Sequence, residues 1–207
     1  MNTVQNRSTI AIINDGLSKS YSYEVYRNIV HELALDGKTT GETQSKALIE
    51  YTQLNDRRMS RWDKTLKIPA AIQEKIAKVS KKLVFLVLTE SWCGDASPSL
   101  PVMNSIAALN PNIELRIVLR DENLELMNQF LTTNAMSIPK LIIIDNENEE
   151  VLADWGPRPS IATKMVQEYK AEHGTLTPEF KQELQVWYNK DKGQNILNDI
   201  VALLPLK

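Results

Sequence analysis

The stretch from Leu83 to Leu88 constrains the fold more than any other part of the chain. It reads LVFLVL, a continuous apolar run rich in branched and aromatic side chains. The run lacks the polar alternation of a strand that has one face in water, and it is typical of a strand covered on both faces. We therefore expect it to be the central strand of a sheet flanked by helices.

The segments after this strand predict an α/β arrangement. A turn at residues 91–95 and a helix that continues to about Leu109 lead to a second apolar strand, from Ile113 to Leu119. A unit of strand, helix and strand implies parallel pairing and a right-handed crossover. The first two strands are therefore expected to be parallel neighbours.

A hairpin completes the predicted sheet. Strands at residues 140–144 and 150–155 are joined by a polar loop, and a helix predicted at residues 121–132 precedes them. Because the hairpin is antiparallel, the sheet is expected to be mixed, with about four or five strands.

Segments with helical periodicity come before and after the predicted strands in the sequence. Apolar residues recur at helical spacing, and glycine or proline marks the ends of several segments. The predicted helices cover residues 23–36, 43–54, 69–80, 159–172, 178–189 and the segment after Gly193 that ends near Leu204. We interpret residues 1–207 as one domain with a helical N-terminal extension (1–65), a core (66–175) and C-terminal helices (176–207).

The charge balance argues against a nucleic-acid partner. Lys and Arg number 24 and Asp and Glu number 26, which gives a net charge of -2, whereas nucleic-acid binders show a basic excess. The basic cluster of Arg57, Arg58, Arg61 and Lys64 can bind an acidic ligand or fold over the active edge of the sheet, but we favour a solvated face.

The sequence predicts neither a membrane span nor an export signal. The apolar run from Ile10 to Ile13 is too short for either, and no other stretch approaches membrane-spanning length. One cysteine excludes an intrachain disulfide, which fits a reducing compartment. We therefore expect a cytoplasmic protein without a membrane partner, and the sequence does not indicate an oligomeric state.

Four elements in a fixed order carry a family resemblance. They are the run Trp92 to Gly94, Pro101 in the following helix, Ile138-Pro139 before an apolar strand, and Gly156 after the last strand. In these elements, over about residues 66–175, the chain resembles the thioredoxin family, and it is similar to a bacterial group with a helical N-terminal extension. The resemblance implies a thioredoxin-like fold in which Cys93 faces a cis-proline at Pro139.

One position departs from the family pattern. Dithiol members carry a second cysteine three residues after the first, and Ala96 occupies that position here. The pattern is therefore a monothiol variant, Trp-Cys-Gly-Asp-Ala, and a self-contained cycle between dithiol and disulfide is impossible.

Cys93 is the candidate nucleophile. A thiol in the first turn of a helix faces unpaired backbone N–H groups and the positive end of the helix dipole, which favour the thiolate. Asp95 opposes this effect because a nearby carboxylate raises the pKa of a thiol, so the direction of the net change stays open. Asp95 can instead serve as a base or only favour the helix N-terminus, and Trp92 either shields the thiol or caps the core.

A substrate site is expected beside the thiol. The resemblance implies that Ile138 and Pro139 offer backbone groups with which an extended peptide or glutathione can pair as an added strand. The resemblance also implies that the end of the second strand and the turn after Trp155 border the same edge, which puts Arg120 and Arg158 within reach. There either guanidinium can stabilise the thiolate, pair with Asp95 or hold a ligand carboxylate.

Three functional hypotheses follow. We favour a monothiol redox protein in which Cys93 attacks a disulfide of a protein or small molecule and an external thiol such as glutathione resolves the adduct. It needs no bound cofactor, and His31 and His173 do not belong to any metal-binding pattern. The alternatives are a redox-inactive module that binds a peptide or protein, and a peroxide sensor through Cys93 sulfenic acid. Glu90 stands where peroxiredoxins carry threonine, so that family's site is not matched.

Overall fold

A four-stranded mixed sheet lies at the centre of the structure, a computed structural model that describes residues 7–206. The strands are β1 (Leu83–Thr89), β2 (Ile113–Leu119), β3 (Lys140–Asp145) and β4 (Glu150–Trp155), in the order β2-β1-β3-β4. Strand β1 pairs in parallel with β2 and antiparallel with β3, and β3 pairs antiparallel with β4. The predicted α/β fold with a mixed sheet flanked by helices is confirmed.

Helices cover both ends of the described chain and the connections of the sheet. They are α1 (Thr9–Ser18), α2 (Tyr23–Leu35), α3 (Lys46–Thr65), α4 (Ala70–Ala77), α5 (Ala96–Ala108), α6 (Leu124–Gln129), α7 (Ser160–His173), α8 (Pro178–Asp191) and α9 (Gln194–Ala202). Residues 1–6 of the predicted N-terminal extension and Lys207 of the predicted C-terminal helical region lie outside the described residues.

Two N-terminal helices differ from the prediction. Helix α1 was not predicted; its N-cap is Ser8, whose hydroxyl accepts a hydrogen bond from the Ala11 N–H. Helix α3 does not end at Leu54 but continues through the basic cluster to Thr65. Its buried stripe contains Thr52 and Asn55 as well as apolar residues, so the apolar periodicity alone underestimates its length.

The helix predicted at residues 121–132 is shorter than expected. Only Leu124–Gln129 is helical, because the Asp121 N–H donates to the buried Glu90 carboxylate and the Asn123 side chain donates to the Leu119 carbonyl. These bonds hold the chain in a turn before α6. The helix predicted at 69–80 is likewise confined to Ala70–Ala77.

One continuous apolar core joins the sheet to the helices at both ends. Every residue of β1 is buried, and the same cluster includes Tyr26 of α2, Trp62 of α3 and Tyr188 of α8. The N-terminal and C-terminal helices are therefore packed on the sheet and are placed to contribute to a site at its edge. None of the helices in residues 7–206 combines the length and the apolar character that a membrane span requires.

Candidate functional site

The thiol of Cys93 lies in the loop between β1 and α5, next to the loop that precedes β3. Its Sγ donates a hydrogen bond to the Ile138 carbonyl oxygen at 3.2 Å, and the Ile138–Pro139 peptide bond is cis. Cys93 is only 7% exposed. The structure thus brings Cys93 and Ile138 together, and Pro139, the next residue, is buried.

The environment of Cys93 favours the neutral thiol. The pKa of Cys93 is raised from its ordinary 9.0 to about 12; burial is the largest cause, and the Asp95 carboxylate is the second. The backbone N–H groups of Ala96 and Asp95 and the Arg158 guanidinium oppose this shift without reversing it. The direction that the sequence left open is therefore upward, because the sequence does not show how deeply the thiol is buried.

Asp95 is held by two side chains from distant parts of the chain. Arg158 Nη2 lies 2.6 Å from its Oδ2, and the Tyr188 hydroxyl donates to its Oδ1 at 3.2 Å. Burial raises the pKa of Asp95, while Arg158 and Tyr188 act in the opposite direction. Both carboxylate oxygens are thus engaged by partners other than Cys93. The sequence analysis did not identify Tyr188, because an inward tyrosine on an amphipathic helix looks like an ordinary core residue.

Arg120 and Trp92 line the same space as Cys93 and contact each other. The Arg120 guanidinium carbon lies 5.0 Å from the centre of the Trp92 ring, within the range of a cation–π contact. Arg120 also pairs with Asp121, with 2.7 Å between Nη2 and Oδ1. The two arginines predicted at this edge therefore both lie there, each paired with a different carboxylate.

An open groove of about 660 Å³ extends over Cys93. One side is formed by the Cys93 loop and by Met136, Ser137 and Ile138 of the loop before β3. The other sides come from the helices outside the central sheet unit: Leu48, Tyr51, Leu54 and Arg58 on α3, and Leu176, Pro178, Lys181, Gln182, Leu184 and Gln185 at and within α8. The N-terminal extension and the C-terminal helices thus contribute much of the wall.

The interpretation of the basic cluster as a solvated face is wrong for Arg58. Its side chain is half-buried and lines the Cys93 groove, whereas Arg57 beside it is exposed and does not. Because α3 is helical here, successive side chains point to different sides of it. The difference between Arg57 and Arg58 could be predicted only if the helix were known to extend past Leu54. The basic cluster therefore contributes one residue to the site.

A buried hydroxyl cluster fixes the start of the Cys93 loop to the N-terminal extension. The Ser91 hydroxyl lies 3.0 Å from the Thr39 hydroxyl, 2.8 Å from the Thr52 hydroxyl and 3.0 Å from the Thr40 N–H. The Asn55 side-chain amide donates to the Ser91 carbonyl at 2.9 Å. The extension therefore positions the loop that carries the thiol.

Replacing Ser91 by alanine should destabilise the protein by about 1–3 kcal/mol, because Thr39, Thr40 and Thr52 would keep buried polar groups with a partner removed. Urea unfolding monitored by circular dichroism measures the change. Ser105→Ala serves as the control, since that half-buried serine on α5 makes no side-chain hydrogen bond within the described residues. Equal stability of the two variants would contradict the proposed role of the cluster.

No metal centre is found in the part of the chain that the structure describes, where no three His, Cys, Asp or Glu side chains are grouped to hold an ion. His31 contacts Asp56, with 3.1 Å between Nδ1 and Oδ2, and His173 packs against the Tyr169 ring. Each histidine therefore contacts a nearby side chain of the chain itself.

Comparison with known proteins agrees with this fold. A family model described as thioredoxin matches residues 41–170. The crystal structure of a protein of unknown function from Pseudomonas aeruginosa aligns with a TM-score of 0.58 and 21% identity over 88% of this chain and 96% of that one. An HIV epitope scaffold aligns with a TM-score of 0.57 and 20% identity over 88% and 97% of the two chains. No curated protein matches the chain.

Proposed function

Because the chain belongs to the thioredoxin family, we propose that its groove over Cys93 is a redox-inactive binding site for a short extended peptide of a partner protein. The observation that carries this proposal is the state of the thiol. Cys93 is buried, donates its proton to the Ile138 carbonyl, and has its pKa raised to about 12. Exchange with a disulfide requires the thiolate, which is scarce at neutral pH under these conditions.

The groove has features suited to a peptide. Its volume of about 660 Å³ lies within the usual range for ligand sites, and its walls combine apolar side chains such as Leu48 and Met136 with a few polar ones. The Ile138 N–H, beside Cys93, has no hydrogen-bond partner among residues 7–206. An extended peptide can supply that partner, as in recognition by strand addition.

Two substitutions in the groove separate binding from exchange. Gly94→Phe should abolish binding, because the space around a side chain at Gly94 is open and an aromatic ring there occupies the groove without a backbone clash. Cys93→Ser should preserve binding, because the proposed function does not use the thiol. We suggest an array of random short peptides probed with the wild-type protein and both variants.

Two outcomes of the peptide array would contradict the proposed function. Peptides that bind the wild-type protein equally well after Gly94→Phe would place binding outside the groove. Loss of all binding after Cys93→Ser, with the fold intact by circular dichroism, would mean that the thiol itself captures the peptides. Either result would reject a redox-inactive site over Cys93.

Monothiol exchange is the second candidate, and the position of Cys93 at the groove supports it. In this scheme the Cys93 thiolate attacks a disulfide RSSR to form a mixed disulfide with RS and releases RS⁻, which takes up a proton. An external thiol such as glutathione then attacks the mixed disulfide, which regenerates the Cys93 thiol and forms a new disulfide with RS. Because Cys93 is the only cysteine, the chain itself cannot resolve the adduct.

Oxidised glutathione distinguishes the two candidates. After incubation at neutral pH, the binding function predicts an unmodified native chain by intact mass, with modification only after denaturation. Monothiol exchange predicts one glutathione per native chain, removed by added thiol and absent from Cys93→Ser. The second result would replace the redox-inactive proposal.

A further inference from the structure

We propose that the groove over Cys93 recognises a peptide through a free carboxylate, and that Arg58 of α3 is the residue that binds this carboxylate. The inference rests on the proposed binding function and adds the chemical class of the ligand. It follows from the pairing of charges around the groove, the partial burial of Arg58 and the size of the space.

The cations of the groove are unequally paired. Arg120 is paired with Asp121 and Arg158 with Asp95, the one acidic residue among the lining residues. Arg58 and Lys181 also line the groove, and within residues 7–206 neither has a carboxylate at ion-pair distance. The groove therefore carries two cations that form no direct ion pair with a described carboxylate.

Arg58 is the more informative of these two cations because it is half-buried, whereas Lys181 is exposed. Its one side-chain hydrogen bond among the described residues is a long one, 3.4 Å from Nη1 to the Asn55 Oδ1. A guanidinium has five N–H donors in a planar fork that matches a carboxylate. Most of these donors are therefore left for water or for a ligand.

The surroundings of Arg58 make an incoming anion favourable. Burial is the largest cause that lowers the pKa of Arg58, and the charges of Arg61 and Arg57 act in the same direction, while Tyr51 and Asp95 oppose the shift without reversing it. A partly desolvated cation among like charges is unfavourable until an opposite charge pairs with it. A carboxylate bound at Arg58 removes this penalty, and the charge-assisted hydrogen bonds that it accepts are strong.

The size of the groove limits the ligand. A volume of about 660 Å³, open at one side, accommodates a peptide of about three residues beside Cys93 and the Ile138 backbone. Arg58 and Lys181 line the same groove from different helices, α3 and α8, which favours a ligand with more than one carboxylate.

S-methylglutathione is a suitable probe because it is a tripeptide with two carboxylates and no thiol to exchange. We expect calorimetry to detect its binding to the wild-type protein, and we expect Arg58→Gln to weaken that binding about tenfold or more. Lys181→Gln should cause a smaller loss, since exposed pairs contribute little. Arg57→Gln, which removes the same charge one position away, should leave affinity within about twofold.

The esters of the probe test the carboxylate directly. The diethyl ester should bind at least about tenfold more weakly to the wild-type protein and should not distinguish it from Arg58→Gln. The glycine monoester identifies which carboxylate Arg58 binds: retained dependence on Arg58 indicates the γ-glutamyl carboxylate, and lost dependence the C-terminal one. Arg58→Lys, which keeps the charge, should restore part of the affinity. Such a recovery would show that the loss in Arg58→Gln does not come from a folding defect.

Three results would overturn the proposal: no binding of S-methylglutathione to the wild-type protein, equal binding of the acid and its diethyl ester, or equal losses for Arg57→Gln and Arg58→Gln. The proposed binding function is tested separately by the peptide array, because random peptides include neutral as well as charged ones. Neutral peptides that bind in the groove would preserve the binding function while rejecting carboxylate recognition.

Discussion

Replacing Asp95 by asparagine is expected to increase the thiolate fraction of Cys93 at a given pH by about tenfold. The Asp95 carboxylate is the second-largest cause of the raised pKa of Cys93, after burial, and Arg158 acts in the opposite direction. The substitution removes the negative charge and leaves the Arg158 guanidinium without its carboxylate partner. Both changes lower the pKa of the thiol.

The rate of alkylation measures this effect. Iodoacetamide should modify Cys93 in Asp95→Asn about threefold faster than in the wild-type protein at neutral pH, less than the gain in thiolate, because a less basic thiolate is a weaker nucleophile. Asp121→Asn is the matched control, since Asp121 pairs with Arg120 and is not among the groups that shift the pKa of Cys93. An unchanged or slower rate in Asp95→Asn would show that the carboxylate does not suppress the thiolate.

Replacing Gly156 by alanine is expected to lower the free energy of unfolding by about 3 kcal/mol or more. Gly156 has a φ of +120°, which side-chain-bearing residues rarely adopt, and a Cβ there would lie 2.1 Å from the Pro139 carbonyl oxygen. The alanine must displace the backbone of the loop that holds Ile138 against Cys93. Urea unfolding measures the loss.

Gly94→Ala provides the comparison for that experiment. Gly94 also lies at the groove, yet its φ is not in the left-handed region and its Cβ would contact nothing within 4 Å. Its stability should change by less than about 1 kcal/mol. If Gly156→Ala were as stable as Gly94→Ala, close packing at Gly156 would not be what fixes the Pro139 loop.

Local sequence signals predicted the sheet, and the resemblance to the thioredoxin family predicted the centre of the candidate site. The apolar run at Leu83–Leu88 is buried throughout in β1, and the order of the Trp92 to Gly94, Ile138 and Gly156 elements placed Cys93 beside the loop before β3. The same resemblance put Arg158 at this edge and left pairing with Asp95 as one of its possible roles, and the structure shows that pair. These features depend on short-range patterns and on the topology that they define.

The rest of the site depends on contacts between distant segments. Tyr188 reaches Asp95 from 93 positions away in the chain, and the Ser91 hydroxyl is bound by threonines about 40–50 positions before it. Arg58 could not be told from Arg57 without the full length of α3, whose buried stripe contains polar residues that bond to the Cys93 loop. Apolar periodicity does not report such residues.

Burial also determines whether the thiol or the thiolate of Cys93 is favoured, a question that the sequence left open. A cysteine at a helix start next to an aspartate is consistent with either an activated or a neutral thiol, because the backbone amides and the carboxylate oppose each other. Helices α3 and α8 line the groove over the thiol, and burial of Cys93 is the largest influence on its pKa. The N-terminal extension contributes to the shape of the groove and to the position of the loop that carries Cys93.

The ionisation of Cys93 in the native protein is the most direct test of this account. Thiolate formation can be followed by ultraviolet absorbance across a pH series, with Cys93→Ser as the reference to subtract tyrosine. The structure predicts no thiolate step at or below 9.0, the ordinary pKa of the group, and ionisation only as the pH approaches about 12. A step clearly below 9.0 would show an activated thiol and would contradict the redox-inactive site proposed for the groove.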